Sequence, residues 1–286
     1  MKKGMVLTAA VVVLAVCGVG RAGAPATAPG DFGVTLDATW VSKYIWHGFD
    51  KLDDKAAFQP SIMMDLWGSG FNIGVWGSWA GASGESEFPG GLSAVEATEL
   101  NYIVSWSGSL MGGEATQMDI GVDWIYYDYP KIPSDVADTQ GIDLSVALPQ
   151  IVGCGVVPNY TATYLWAAEG GGPSNGVGGW IHRMGLDYNL VCGEIFPNNP
   201  EQVFTFSWDI TYNDGAGLTG TSNSPASVFR PDVDADWSHM TWGLKTEIAC
   251  PWGGSFIPGL YYQTSMEDTV NDEDELWTGL SYSLKF

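Results

Sequence analysis

The stretch EQVFTFSWDITYN (201–213) sets Phe204, Phe206, Trp208, Ile210 and Tyr212 on one side. On the other it sets Val203, Thr205, Ser207, Asp209 and Thr211. Strict alternation is the period of a β-strand, whose successive side chains point to opposite faces. The pattern recurs along the chain. Met118, Ile120, Val122, Trp124 and Tyr126 oppose Asp119, Gly121, Asp123 and Ile125, and Trp180, Met184, Leu186, Tyr188 and Leu190 oppose Arg183, Gly185, Asp187 and Asn189. No helix-period segment of useful length follows residue 26. Strands are expected near 33–47, 57–67, 71–80, 96–106, 116–129, 138–148, 156–168, 178–191, 201–213, 236–249, 255–266 and 274–286. That makes about twelve, each of about ten residues, an even number as a bacterial membrane barrel requires.

A soluble sandwich also alternates, and the connectors separate the two readings. The links at 68–70, 149–155, 192–200 and 251–254 are compact. Those at 48–56, 81–95, 130–137, 169–177 and 214–235 are mostly longer and rich in Gly, Pro or acid. Short turns on one side and long loops on the other mark an outer-membrane barrel. The expected fold is therefore all-β: a transmembrane antiparallel up-and-down β-barrel of about 12 strands, with short periplasmic turns and longer extracellular loops. Only 15% of residues are charged, against roughly 25% in an ordinary soluble domain, while 38 Gly and 14 Trp fill the difference.

The amino terminus reads as an export signal. Lys2 and Lys3 precede the apolar run Met5–Gly20, and small residues follow in RAGAPATAPG. The run is shorter than the about 18 residues of a membrane span. The domain reading is residues 1–26 as signal peptide and 27–286 as the barrel. LAVC around Cys17 resembles a lipobox, with a valine bulkier than such sites prefer. Cleavage would remove three of the 11 basic residues and none of the 33 acidic ones. Nucleic acid, which needs clustered Lys and Arg, is excluded as a partner.

Aromatic residues gather at the expected strand ends: Trp40, Tyr44, Trp46, Trp67, Trp76, Trp79, Trp106, Tyr126, Tyr127, Tyr129, Tyr164, Trp166, Trp237, Trp242, Tyr261 and Tyr262. Amphipathic rings at headgroup level form girdles around a barrel. The chain ends LWTGLSYSLKF, with Leu276, Thr278, Leu280, Tyr282, Leu284 and Phe286 on one face. As a last strand it would pair with the first and leave no edge. Leu280, Tyr282, Leu284 and Phe286 also resemble the signal read by the barrel-assembly machinery.

VTLDATWVSKYIWHGFD (34–50), continued by KAAFQPSIMMDL (55–66), resembles the opening of the TorF-type porins. That opening reads roughly V-S-D-Y-x-F-R-G, followed by a second strand containing Gln. The matching residues are Val41, Ser42, Tyr44, Gly48 and Gln59, while Lys43, Trp46 and His47 depart from the pattern. SGFNIGVWGSWA (69–80) is similar to the family's next hairpin. The resemblance covers roughly the first third of the mature chain plus the last strand. It implies an outer-membrane barrel and supplies no cargo.

Charge on the polar faces should point into a lumen, because it is expensive against lipid. The expected pore-lining residues are Asp37, Lys43, Glu99, Asp119, Asp123, Asp143, Arg183, Asp187, Asp209, Lys245 and Glu247, with Lys285 on the same face. Acid predominates among them, so an open lumen would prefer cations. A closed interior with these groups paired is the competing reading.

His47, His182 and His239 lie on separate strands without HExxH or paired CxxC support, so no metal site or cofactor is expected. A Ser–His hydrolase built from His182 or His239 with Ser207 or Ser238 is the lesser possibility, and no catalytic residue is assigned. Asp232, Asp234 and Asp236 superficially resemble a calcium loop but lack its Gly and distal Glu. Cys154, Cys192 and Cys250 fall in or beside the expected periplasmic turns, and three cysteines allow at most one internal disulfide.

The sequence thus points to a non-enzymatic outer-membrane channel for passive diffusion of small solutes, weakly cation-preferring and gated by loops such as 214–235. Its expected partners are outer-membrane lipid, lipopolysaccharide and the assembly machinery. The alternative is a closed barrel with a structural or surface-binding role through its acidic loops.

Overall fold

The computed structural model describes residues 30–81, 98–169, 178–196, 199, 201–217 and 233–286. The signal segment 1–26, Asp232 and most of the 214–235 loop lie outside them.

In chain order the strands are β1 (Gly33–Val41), β2 (Ile45–Trp46), β3 (Phe49–Asp50), β4 (Ala57–Asp65), β5 (Phe71–Ala80), β6 (Glu99–Leu110) and β7 (Met118–Asp128). After one helical turn, α1 (Ser134–Ala137), come β8 (Thr139–Ala147), β9 (Val156–Ala167), β10 (Gly178–Gly193), β11 (Glu201–Asp214), β12 (Asp236–Thr246), β13 (Ile248–Ala249), β14 (Ser255–Ser265) and β15 (Glu275–Lys285). Twelve are long: β1, β4 to β12, β14 and β15. Each pairs antiparallel with its sequence neighbours, β12 with β14 across the short β13.

The ring closes between β15 and β1, in register from Thr35↔Lys285 to Val41↔Gly279. Phe286 extends this seam, its N–H donating to Val34 O at 2.9 Å and its carbonyl accepting from Val34 N at 3.2 Å. The result is a closed twelve-stranded antiparallel barrel without a free edge.

Alternation places apolar side chains outside. Leu36, Trp40, Phe58, Ile62, Trp79, Tyr102, Val104, Trp124, Phe206, Trp242, Leu260 and Leu280 are all exposed. Their neighbours in sequence point inward: Thr39, Gln59, Ser105, Asp123, Asp143, Thr163 and Gln263 are buried. This is the reverse of a soluble domain, which hides its apolar face.

Two expectations need correction. The first strand stops at Val41 rather than 47, and residues 42–56 fold into the barrel. Tyr44, Ile45, Trp46, Phe49 and Leu52 are each at most 5% exposed. The large residues there read as strand because alternation cannot distinguish a barrel wall from a loop that fills a barrel. The aromatic girdle is also narrower than expected: Tyr44, Trp46, Tyr127 and Tyr129 are buried in the interior cluster with Ile103, Ile125, Leu165 and Ile181, and Trp76 packs against that cluster. Tyr261 likewise lies on the inner face, stacked on Trp277 at 5.3 Å.

Candidate functional site: the lumen and its inserted loop

The inserted segment is built on a two-residue hairpin. Ile45 pairs with Asp50 and Trp46 with Phe49. Between them His47 (φ 47°) and Gly48 (φ 92°) both occupy the left-handed region. Two such residues make the tight turn whose twist suits a hairpin. Gly48 is required for a second reason, because a Cβ there would run into the His239 ring of β12. Gln263 of β14 donates to Gly48 O at 2.9 Å.

On the opposite side of the lumen, Trp46 meets Tyr127 of β7 edge-on, with ring centroids 5.6 Å apart. The hairpin therefore reaches from the β12–β14 wall to the β6–β7 wall.

Lys51 pins it. Its Nζ donates to Glu99 Oε2 at 2.6 Å and to Tyr129 Oη at 2.6 Å. It also lies 5.3, 5.2 and 5.1 Å from the ring centroids of Tyr44, Trp46 and Tyr129. Tyr44 Oη and Asn101 Nδ2 donate to the same carboxylate, at 3.2 and 3.0 Å. Glu99 is 2% exposed, so this is a fully buried ion pair with its remaining lone pairs satisfied.

Beyond the hairpin, toward the short-turn end, the lumen is polar. Asp37, Asp119, Arg183, Asp187 and Asp209 are partly exposed there. Ser61 Oγ donates to Asp37 at 3.2 Å, Ser109 Oγ to Asp119 at 2.6 Å and Asn159 Nδ2 to Asp187 at 3.0 Å. Deeper in, Asp123 and Asp143 are direct cross-strand partners on β7 and β8, 3% and 2% exposed. Their outer neighbours in register are Ser105 and Thr163. Like charges so placed repel, and Asp143 Oδ1 has no hydrogen-bond donor. Lys245 is buried on β12, whereas Glu247 is exposed just beyond it.

Lys43 sits at the long-loop mouth instead of in the lumen, paired with Asp54 and, at 2.7 Å, with Glu275 of β15. Burial pulls its pKa down, but hydrogen bonds to those carboxylates hold it well above the ordinary lysine range. Asp50 lies beside them, its oxygens accepting from the N–H groups of Leu52 and Asp54 at 3.0 and 2.6 Å. Burial pushes its pKa up to about 6, with Glu275 and Asp54 adding repulsion. Burial also keeps His47 well below its ordinary value, with Arg183, His239 and Lys51 acting in the same direction.

The histidines do not converge as a set. His182 faces outward, its Nδ1 2.7 Å from Tyr160 Oη and its ring stacked on Trp180. His239 Nδ1 lies 2.9 Å from Ser238 Oγ, and that pair is sealed beneath the hairpin turn. Ser207 lies on β11, opposite Asp187. Cys154, Cys192 and Cys250 are free thiols at the short-turn end.

Residues 25–163 match the model of a family described as a bacterial protein of unknown function, Gcw_chp. No curated protein sequence matches the chain. Among solved structures the chain is similar to a KdgM porin, with 10% identity, a TM-score of 0.44, and 88% of this chain and 98% of that one covered. It is similar to the COG4313 outer membrane channel from Pseudomonas putida F1, with 9% identity, a TM-score of 0.48 and coverage of 91% and 97%. LpxR from Salmonella typhimurium gives 12% identity, a TM-score of 0.45 and coverage of 87% and 99%.

Proposed function

We propose that the protein is a porin-like outer-membrane channel for small solutes, weakly cation-preferring, with residues 42–56 as its stopper. The observation that carries this reading is the inverted distribution of polarity in a closed barrel. An apolar exterior with exposed Trp and Tyr suits lipid and the lipid part of lipopolysaccharide, whereas charge on the inner face suits water. The resemblance of residues 34–66 to TorF-type porins points the same way.

In this mechanism solutes diffuse through the polar half of the lumen, where Asp37, Asp119, Asp123, Asp143, Asp187 and Asp209 outnumber Arg183 and Lys245. The excess of carboxylate raises local cation concentration and repels anions. Passage through the other half requires the hairpin to leave its seat between β6–β7 and β12–β14. Glu99 and Lys51 act there as the latch, while Lys43 and Glu247 border the path at its two ends. Delivery to the membrane uses the signal segment 1–26, and the alternating residues Leu280, Tyr282, Leu284 and Phe286 serve as the assembly signal.

Planar-bilayer recordings test this directly. The full chain should show small conductance with a reversal potential favouring cations, and removal of residues 44–54 should raise the conductance several-fold. Anion preference would sink the charge argument. Absence of conductance in both proteins would leave a closed barrel with a structural role, which the packed hairpin favours as the second reading.

A further inference from the structure

The long-loop mouth carries charge that the channel reading does not use. Asp50 and Asp54 come from the inserted loop and Glu275 from the start of β15. Their carboxylate oxygens all lie within 4.8 Å of one another. Two oxygens bound to one calcium ion stand at most about 5 Å apart, since each bond is about 2.3–2.6 Å.

Among the described residues the ion pairs of these three carboxylates run to one ammonium, that of Lys43, which leaves an excess of two negative charges. A second observation points to a missing cation. Gln263 stands directly across from Glu275 on β14 and is 1% exposed. Its Nε2 is committed to Gly48 O of the loop, which fixes the orientation of the amide. The other end of that amide, Oε1, is buried and has no donor. A buried amide oxygen without a partner costs free energy, and a hard cation held between the loop and Glu275 would relieve that cost.

We propose that Asp50, Asp54, Glu275 and Gln263 form a calcium site that clamps loop 42–56 to the barrel wall. Asp50 and Asp54 supply oxygens from the loop, Glu275 and Gln263 from β15 and β14, and water completes the shell. Lys43 is the counter-charge of the ion-free form and competes with the metal for Asp54 and Glu275. Binding at this site does not depend on the barrel conducting.

Calorimetric titration of the detergent-solubilised full chain with calcium chloride tests the assignment. The expected result is one saturable event that Asp54→Asn, an exposed substitution, weakens by about tenfold or more. Lys43→Gln should strengthen it, because the competing ammonium is gone. A structural salt bridge alone gives no such gain. The site is refuted if neither the full chain nor Lys43→Gln takes up calcium saturably. It is equally refuted if Asp54→Asn or Lys43→Gln leaves the affinity unchanged, since the ion would then sit on other acidic loops.

Discussion

Lys51 shows how much can rest on one side chain. Its ammonium is buried 2.6 Å from Glu99 and ringed by three aromatic faces, so removing it strands a carboxylate in the interior. Breaking such a pair from one side costs about 3–5 kcal/mol. Lys51→Met should therefore unseat the hairpin and raise conductance, whereas Lys51→Met combined with Glu99→Gln should do so less. Equal conductance in the single and double variants would show that the ion pair is not the latch. Asp50 offers a second test at this scale. Its folded pKa of about 6 exceeds the ordinary 3.8, so protonation favours the docked loop. That contribution is full below about pH 4 and lost as pH rises through about 6. Calcium needs the deprotonated form, so its affinity should climb between pH 5 and pH 7.5, and Asp50→Asn should flatten the climb. Calorimetry at the two pH values measures both.

At the scale of the element, β15 explains why the chain stops on an aromatic residue. Its polar face, with Ser281 and Ser283, looks inward, while Leu280, Tyr282, Leu284 and Phe286 look out. Thr39 Oγ1 and Ser281 Oγ, 2.8 Å apart, join the first and last strands across the seam. Phe286 is 68% exposed, so it contributes little packing to the barrel itself. Phe286→Ala should then leave the stability of the refolded barrel nearly unchanged while lowering the amount assembled in cells. Densitometry of the folded, heat-modifiable band against total protein separates the two. Equal assembly of both proteins would remove the signal role.

At the scale of the whole molecule, eleven of the twelve long strands were legible within a few residues because alternation and turn chemistry are local. The inward placement of Asp123, Asp143, Asp187 and Asp209 follows from the same period, and the pairing of the terminal strand with the first follows from the need to satisfy every edge. Less visible was the hairpin at 45–50. Its one local signal was His47–Gly48, a pair able to adopt the left-handed turn, lying inside a run that also alternates. Nothing in the run states that Trp46 will rest on Tyr127, or that Lys51 will find Glu99, 48 positions further along the chain. His182 and His239, alike in sequence, part company for the same reason: one faces out among aromatic rings and the other is sealed inside. By itself the sequence determined the strand period, the charge of the inner face and the closure of the ring, all set by near-neighbour geometry. Only the tertiary structure decided that one loop turns inward and packs across the lumen, because that outcome depends on distant strands being brought around to meet it.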